Sequence, residues 1–207
     1  MDNELKNTFT QIYKTKIWGE GSGQGSTDEL IVNTYINDIS AFLKSFNNKP
    51  KIIDLGCGDF NVGSKIIEYS SEYIACDIVE FIIKENKKKY FDANVEFQVL
   101  DISKDDLPLG DIAIIRQVLQ HLSNRKINNI LKNIYDTYQY VIITEHIPKD
   151  KFIPNIDMSS GNKTRIELNS GVVVTESPFS LKIKDQKLIS SITLGDTVLK
   201  TLVYQLH

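Results

Sequence analysis

The chain has 207 residues, of which 41% are hydrophobic and 25% are charged, with a net charge of −3 and a pI of about 5.7. This length and balance predict one globular domain with a sizeable core, and they do not indicate a nucleic-acid-binding protein. No window is apolar enough for a transmembrane helix, and residues 1–4 lack the features of a signal peptide. We therefore expect a cytoplasmic protein without a membrane partner, in which Cys57 and Cys76 are reduced, buried thiols.

Residues 17–26 contain four glycines and the single tryptophan of the chain, Trp18. Because glycine costs entropy to order, this composition predicts a flexible loop. We interpret the loop as a lid that closes over a ligand, with Trp18 excluding water, while a plain linker between two helices remains the alternative. Ser26 or Thr27 can cap the next helix, whose core-facing side chains recur at helical spacing: Ile31, Tyr35, Ile39, Phe42 and Phe46.

An apolar strand at residues 51–55 runs through Asp54 into the turn Gly56-Cys57-Gly58. The two glycines let the backbone turn tightly and approach a ligand closely. A second strand, residues 73–77, ends at Asp77, where a carboxylate can accept hydrogen bonds from ribose hydroxyls. The pattern is typical of the nucleotide-binding end of a Rossmann-like sheet, although a turn that needs glycines only for its geometry stays open.

The dinucleotide fingerprint is incomplete, because Asn61 stands where its third glycine would be. Asp54 would also repel a diphosphate, whereas it suits a cationic ligand. An NAD-dependent oxidoreductase is therefore disfavoured, and it is kept as an alternative together with a non-catalytic nucleotide-binding subunit.

A third strand is predicted at residues 95–99, before Asp101, and a fourth at residues 111–115, before Arg116 and Gln117. Asp54, Asp77 and Asp101 would then all lie at carboxyl ends of strands, the edge at which open α/β sheets bind ligands.

These motifs resemble those of the class I S-adenosylmethionine-dependent methyltransferases. The run Asp54-Leu55-Gly56-Cys57-Gly58 matches their first motif, Asp77 matches the ribose-binding acid, and residues 118–122 are similar to the motif after their fourth strand. The resemblance covers residues 50–146, and Phe60 departs from it where a third glycine is common. It implies that S-adenosylmethionine is the cofactor, bound by Asp54, Gly56, Cys57, Gly58, Asp77, Ile78, Asp101, Ile102, Arg116 and Gln117.

The resemblance implies an α/β, Rossmann-like, mostly parallel seven-stranded sheet with an antiparallel last strand and helices on both faces. Within this single domain we expect a lid and helix at 1–50 and a cofactor-binding core at 51–146. Residues 147–186 form a long insertion, which we interpret as acceptor-binding because long loops in compact domains are usually functional. Residues 187–207 carry a hairpin pattern, with strands at 188–193 and 198–204.

Methyl transfer to a hydroxyl needs a base, and His121 and His146 both follow predicted strands at the ligand-binding edge. Either histidine can instead have a purely structural place. Glu145 could orient a histidine or bind the acceptor, with Trp18 as a further substrate contact. Arg165, with Lys163, could bind an anionic acceptor, unless the two form a solvated surface pair.

The acceptor is expected to be a small polar molecule that is methylated on oxygen. A nucleotide-linked or phosphorylated molecule is one option. The Trp-Gly and Gly/Ser pattern of the lid resembles small bacterial methyltransferases of surface-polysaccharide (capsule) pathways, which implies a sugar or phosphoramidate acceptor. No metal is expected, since Arg116-Gln117 and Glu145-His146 stand where paired Asp and Asn ligands would be needed. A homo-oligomer is left open.

Overall fold

The computed structural model describes residues 4–207, whose strands form one seven-stranded sheet in the order β3-β2-β1-β4-β5-β7-β6. The first five strands run parallel, and β7 pairs antiparallel with both β5 and β6. The strands are β1 (Ile52–Leu55), β2 (Tyr73–Asp77), β3 (Glu96–Val99), β4 (Ile112–Arg116), β5 (Tyr140–Pro148), β6 (Asp185–Leu194) and β7 (Thr197–Gln205). The predicted fold class is therefore confirmed.

In the described part of the chain, five α-helices accompany the sheet: α1 (Glu4–Lys14), α2 (Gln24–Thr27), α3 (Glu29–Leu43), α4 (Glu80–Lys89) and α5 (Asn124–Thr137). Side chains alternate between the two faces of each strand, so Ile53 packs with α1 and α5 while Ile52 packs with α3. The central strands are buried on both faces, which explains their unbroken apolar runs. No helix among residues 4–207 is long and apolar enough to cross a bilayer.

The segment between the glycine turn and β2 contains no α-helix. It forms two short 3₁₀ turns, Gly63–Lys65 and Ile67–Tyr69. Ile66, with φ −120° and ψ −2°, interrupts them, so no continuous helix connects β1 to β2. The predicted C-terminal hairpin is present, and Gly195, at φ +62°, makes its tight turn.

The long insertion after β5 is held by buried polar side chains in place of regular secondary structure. Its one helical element is the 3₁₀ turn Arg165–Leu168. Asn155, 4% exposed, donates its amide to the carbonyls of Val173 (2.9 Å) and Ser177 (3.0 Å). Its Oδ1 accepts the N–H of Val173 at 2.8 Å. Loop backbone that leaves water needs such partners, so Asn155 fixes the path of residues 173–177 in this segment.

Replacing Asn155 by Ala should lower the free energy of unfolding by about 3 kcal/mol, because buried backbone groups lose their partners. Its φ of +60° adds to the cost, since Ala is less tolerant than Asn of the left-handed region. Urea unfolding followed by circular dichroism measures the change. The control is Asn129→Ala on the exposed side of α5, which should be neutral or slightly stabilising. Equal midpoints for the two variants would contradict the assignment.

Candidate functional site

A cavity of about 350 Å³ lies at the carboxyl edge of the parallel strands, beneath α1 and residues 17–26. Every residue predicted to bind the cofactor contributes to its wall, and so do Trp18, His121 and His146. Glu145 and Arg165 do not line it. The predicted cofactor-binding residues, Trp18 and the two histidines thus lie together at the carboxyl edge of the sheet.

The turn after β1 accepts only glycine at two positions. Gly56 has φ +93°, and a Cβ on it would lie 2.4 Å from Cγ2 of Val118. Gly58 has φ +54°, and a Cβ there would lie 2.2 Å from Oγ of Ser22. Both glycines therefore permit close packing of neighbouring loops against the cavity floor.

Asp77 holds this turn in place. Its Oδ2 accepts the N–H of Gly58 at 3.0 Å, and its Oδ1 accepts the N–H of Val79 at 2.9 Å. Burial raises the pKa of the Asp77 carboxyl, although these backbone donors act against the rise. Each carboxylate oxygen has a second lone pair, so Asp77 can still accept hydrogen bonds from the hydroxyl groups of a ligand.

One end of the cavity is an apolar cleft above an acid. Asp101 accepts the N–H (3.0 Å) and the hydroxyl (2.7 Å) of Ser103 through Oδ1. The apolar walls come from α1 and from the ends of β2 and β3: Leu5, Phe9, Ile78, Leu100 and Ile102. The contribution of α1 to this wall was not predicted. The helical spacing of Leu5, Phe9 and Ile12 could have indicated an amphipathic helix there.

Two buried donors at the end of β4 have no partner among the described residues: Nε of Arg116 and Nε2 of Gln117. Arg116 stacks over the ring of Tyr35 at 4.8 Å and also donates to the carbonyl of Gly25. Unpartnered buried donors are costly, so these two indicate acceptor groups on a bound ligand. Close by, Asp54 accepts the Tyr73 hydroxyl at 3.0 Å, and burial raises the pKa of Asp54 to about 7.

Residues 17–26 are docked as a lid onto the turn after β1. Ser22 and Asp59 exchange two hydrogen bonds, from Ser22 N–H to Oδ2 (3.1 Å) and from Asp59 N–H to Oγ (2.8 Å). Asn61, which replaces the fingerprint glycine, donates its amide to the carbonyl of Ser26 at 2.6 Å. The Trp18 indole N–H reaches the carbonyl of Asn162 in the insertion at 3.5 Å. These contacts favour the lid over the linker interpretation.

Both ring nitrogens of His121 are engaged inside the protein. Nδ1 lies 3.0 Å from the carbonyl of Lys163, which can only accept, so Nδ1 carries the proton. Nε2 then accepts from the Gln120 amide at 3.2 Å. Burial lowers the pKa of His121 to about 4, and its ring centroid is 4.8 Å from that of Trp18. His121 is thus a neutral wall residue with a weakly basic lone pair.

His146 has a different arrangement. The Thr197 hydroxyl gives its only proton to the carbonyl of Leu194 at 2.8 Å. Both contacts of this hydroxyl are hydrogen bonds at the same time only when Nε2 of His146 carries the ring proton and donates it to Thr197, and we assign that tautomer. Nδ1 makes no hydrogen bond within residues 4–207 and keeps its lone pair, and burial lowers the pKa of the ring.

Two predicted substrate contacts are corrected. Glu145 is 3% exposed and accepts the N–H groups of Leu119 and Gln120, both at 2.9 Å, instead of facing the cavity. Arg165 is 1% exposed, and backbone carbonyls surround its guanidinium. Lys163 is exposed and pairs with Glu167 at 2.9 Å. The insertion therefore brings no free cationic side chain into the cavity.

Comparison with known proteins finds similarity to methyltransferases. Residues 53–138 match the model of a family described as a methyltransferase domain. Human acetylserotonin O-methyltransferase is 34% identical over 95 residues, which are 42% of this chain and 27% of that protein. The matched part therefore spans about a quarter of the length of this relative.

Solved structures share the fold over nearly the whole chain. The N-methyltransferase NodS from Bradyrhizobium japonicum, crystallised with S-adenosylhomocysteine, has a TM-score of 0.71 at 9% identity, covering 97% of this chain and 100% of that one. The N-terminal domain of EvdMO1, crystallised with S-adenosylhomocysteine and D-fucose, has a TM-score of 0.61 at 13% identity, covering 99% and 97%. The described chain therefore shares its fold with solved proteins, a methyltransferase among them, that were crystallised with S-adenosylhomocysteine, and residues 53–138 match the model of the methyltransferase domain family.

Proposed function

We propose that the protein is a methyltransferase that moves the methyl group of S-adenosylmethionine to a hydroxyl oxygen of a small sugar used in surface-polysaccharide synthesis. One observation carries the proposal: a single lidded cavity joins an acid-lined cofactor end to a neutral, hydrogen-bonding end beside His146. The sugar and its pathway are supported by the lid pattern, by the neutral lining and by a relative in fold that was crystallised with D-fucose.

The residues at the cofactor end fit S-adenosylmethionine. The apolar cleft between α1 and Ile102 accommodates adenine, with Asp101 at its edge, and Asp77 retains lone pairs for the ribose hydroxyls. The unpartnered donors of Arg116 and Gln117 match the carboxylate of the methionyl group. These assignments use the two buried donors that lack a partner among residues 4–207, and the glycine turn, which lets the backbone approach a ligand closely.

The other end of the cavity favours an uncharged acceptor. Its polar side chains are amides and hydroxyls, from Gln24, Ser26, Gln120, Asn162 and Thr164. Such groups donate to and accept from sugar hydroxyls without imposing a charge. Arg116 is the single formal cation of the wall within residues 4–207, and it already binds the lid. The wall therefore has no free cationic side chain to bind a phosphorylated or phosphoramidate acceptor within residues 4–207.

When bound, S-adenosylmethionine supplies a methyl group activated by its positive sulfur, and transfer of that group to a hydroxyl releases one proton. His146 accepts the proton at Nδ1, because Thr197 holds the neutral ring with its other nitrogen protonated. The lid excludes water, and the walls align the reactants, which can contribute on the order of 7–11 kcal/mol. We assign His121 to the wall, since both of its nitrogens are already bonded.

The two alternative functions have less support. A dinucleotide would need space for its diphosphate near residue 61, where the Asn61 amide instead binds the lid. A non-catalytic nucleotide-binding subunit would need neither the docked lid nor a histidine held in one tautomer. N-methylation, the activity of NodS, is separated from O-methylation by the choice of acceptors in the assay below.

Asp77→Ala should weaken S-adenosylhomocysteine binding about 10- to 100-fold, because a charged acceptor of the ribose hydroxyls is lost, at roughly 1.5–3 kcal/mol. Titration calorimetry measures the affinity, with circular dichroism to verify folding. Asp92→Ala, at an exposed position, is the control and should bind as the wild type does. Tight binding of NAD without binding of either sulfur cofactor would overturn the methyltransferase proposal itself.

His146→Gln should reduce kcat about 10²- to 10⁴-fold, the usual contribution of a general base, with little change in cofactor affinity. His121→Gln should cost less, because it removes a wall contact and not the base. Transfer of labelled methyl groups is measured on D-fucose, other free hexoses, nucleotide-linked sugars, sugar phosphates and primary amines. Methylation of amines alone would replace the proposed acceptor class.

The pH profile gives an independent check of the base. Burial lowers the pKa of His146 below its ordinary 6.5, so Nδ1 is unprotonated at neutral pH. The wild-type rate should therefore be flat from pH 7 upward and fall only at a pH below the ordinary histidine pKa, as Nδ1 takes a proton. In Thr197→Val the ring is no longer held in one tautomer, and kcat should fall about tenfold. An unchanged rate in both His146→Gln and Thr197→Val would rule out this histidine.

A further inference from the structure

The turn after β4, residues 118–123 and hereafter the post-β4 turn, carries Gln120 and His121 to the cavity wall. Two buried charged side chains that do not line the cavity bind the backbone of this turn, namely Glu145 from β5 and Arg165 from the insertion. Removing a charge from water is costly unless hydrogen bonds compensate it fully. The cost would be explained if the two side chains hold the backbone of the post-β4 turn in one fixed position.

Glu145 binds the start of the turn through two donors. Its Oε1 accepts the N–H of Leu119 and its Oε2 that of Gln120, each at 2.9 Å. Burial raises the pKa of Glu145, while these two N–H groups and the charge of Arg165 oppose the rise. Both oxygens accept N–H groups and neither has an acceptor for a carboxyl proton within residues 4–207, so the geometry favours the carboxylate. A glutamine at this position would present an NH₂ group to one of the two backbone donors.

Arg165 binds the same turn through its carbonyls. Nη1 donates to Leu119 (3.1 Å), and Nη2 donates to Leu122 (2.7 Å) and to Oδ1 of Asn124 (2.8 Å). Nε donates to the carbonyl of Ile156 within the insertion at 3.0 Å. One planar fork therefore joins the insertion to the turn, a geometry that lysine cannot reproduce.

The two charges act through the peptide groups between them. Glu145 and Arg165 form no ion pair within 4.0 Å in the described part of the chain. The anion takes N–H groups and the cation takes C=O groups of one short stretch, so each interacts favourably with the dipoles that the other orients. The stretch cannot rotate without breaking bonds to both.

The held turn fixes the side chains that face the cavity. Gln120 Oε1 accepts the N–H of His146 at 3.3 Å, which orients the amide so that its NH₂ faces Nε2 of His121. On the insertion side, Gly161 N–H donates to the His121 carbonyl at 2.9 Å, and His121 Nδ1 donates to Lys163. The tautomer of His121 therefore depends on how the insertion docks.

We propose that Glu145 and Arg165 are positioning residues, which clamp the post-β4 turn from opposite sides so that docking of the insertion completes the acceptor end of the site. The meaning for catalysis rests on the proposed function, whereas the clamp itself rests on contacts alone. The test therefore needs a readout that does not require an acceptor.

Imidazole NMR of the full chain with S-adenosylhomocysteine provides that readout, since the chain has only three histidines. In the wild type, His121 should remain the neutral, Nδ1-protonated tautomer down to about pH 5. In Arg165→Met and in Glu145→Gln it should show mixed tautomers and begin to protonate above about pH 6, as an ordinary histidine does. Affinity for S-adenosylhomocysteine should stay within about threefold, because its binding residues lie elsewhere.

Asn155→Ala is the matched control, because it removes a buried polar staple of the same insertion without removing a bond to the post-β4 turn. It should lower the melting temperature and leave the His121 signals unchanged. Signals of His121 that stay as in the wild type in Arg165→Met and Glu145→Gln would overturn the clamp. If Arg165→Met does not fold, Glu145→Gln against the control decides in the same way.

Activity separates this inference from the proposed function. With any sugar that the wild type methylates, the two clamp variants should lose about 100-fold in kcat, as misplacement by about 1 Å does, with an unchanged KM for S-adenosylmethionine. A kcat equal to that of Asn155→Ala would contradict the positioning role. Normal clamp behaviour by NMR without methyl transfer to any acceptor would refute the proposed function and leave the clamp standing.

Discussion

The parallel register of the central strands is the constraint on which the whole site depends. Leu55 pairs with Cys76, Asp77 with Val99, and Arg116 with Thr144, so β1 to β4 end at nearly the same level, while β5 continues past it to Pro148. The residues just beyond these ends therefore meet around one cavity. A slip of one residue in any pair would turn its side chains to the opposite face of the sheet and dismantle the wall.

The same arrangement of hydrogen bonds occurs twice at this edge of the sheet. An acid on one strand accepts backbone N–H groups from the loop that follows the neighbouring strand. Asp77 on β2 does so for the turn after β1, and Glu145 on β5 does so for the turn after β4. The first acid lines the cavity and remains open to a ligand, whereas the second lies outside the cavity, where burial raises its pKa. Position on the sheet therefore does not by itself make an acid a ligand contact.

That distinction marks how far the sequence could be interpreted. The glycine turn and the acids after three strands are local patterns with fixed spacing, so the sheet and the residues that line the cavity follow from them. The places of Glu145 and Arg165 depend on contacts between distant segments: Arg165 binds carbonyls more than forty residues away. No local pattern distinguishes a buried arginine in a loop from a solvated one. The two histidines likewise needed their hydrogen-bond partners, Lys163 and Thr197, before their tautomers could be assigned.

Trp18 contacts three of the segments that enclose the cavity. Its ring centroid lies 6.0 Å from that of Phe9 on α1 and 4.8 Å from that of His121, and its indole N–H points to Asn162 in the insertion. Because it is the only tryptophan of the chain, indole emission comes from this one junction. The protein thus contains an intrinsic optical probe of its own site, and opening of the helix, the turn or the insertion would each change the surroundings of the same fluorophore.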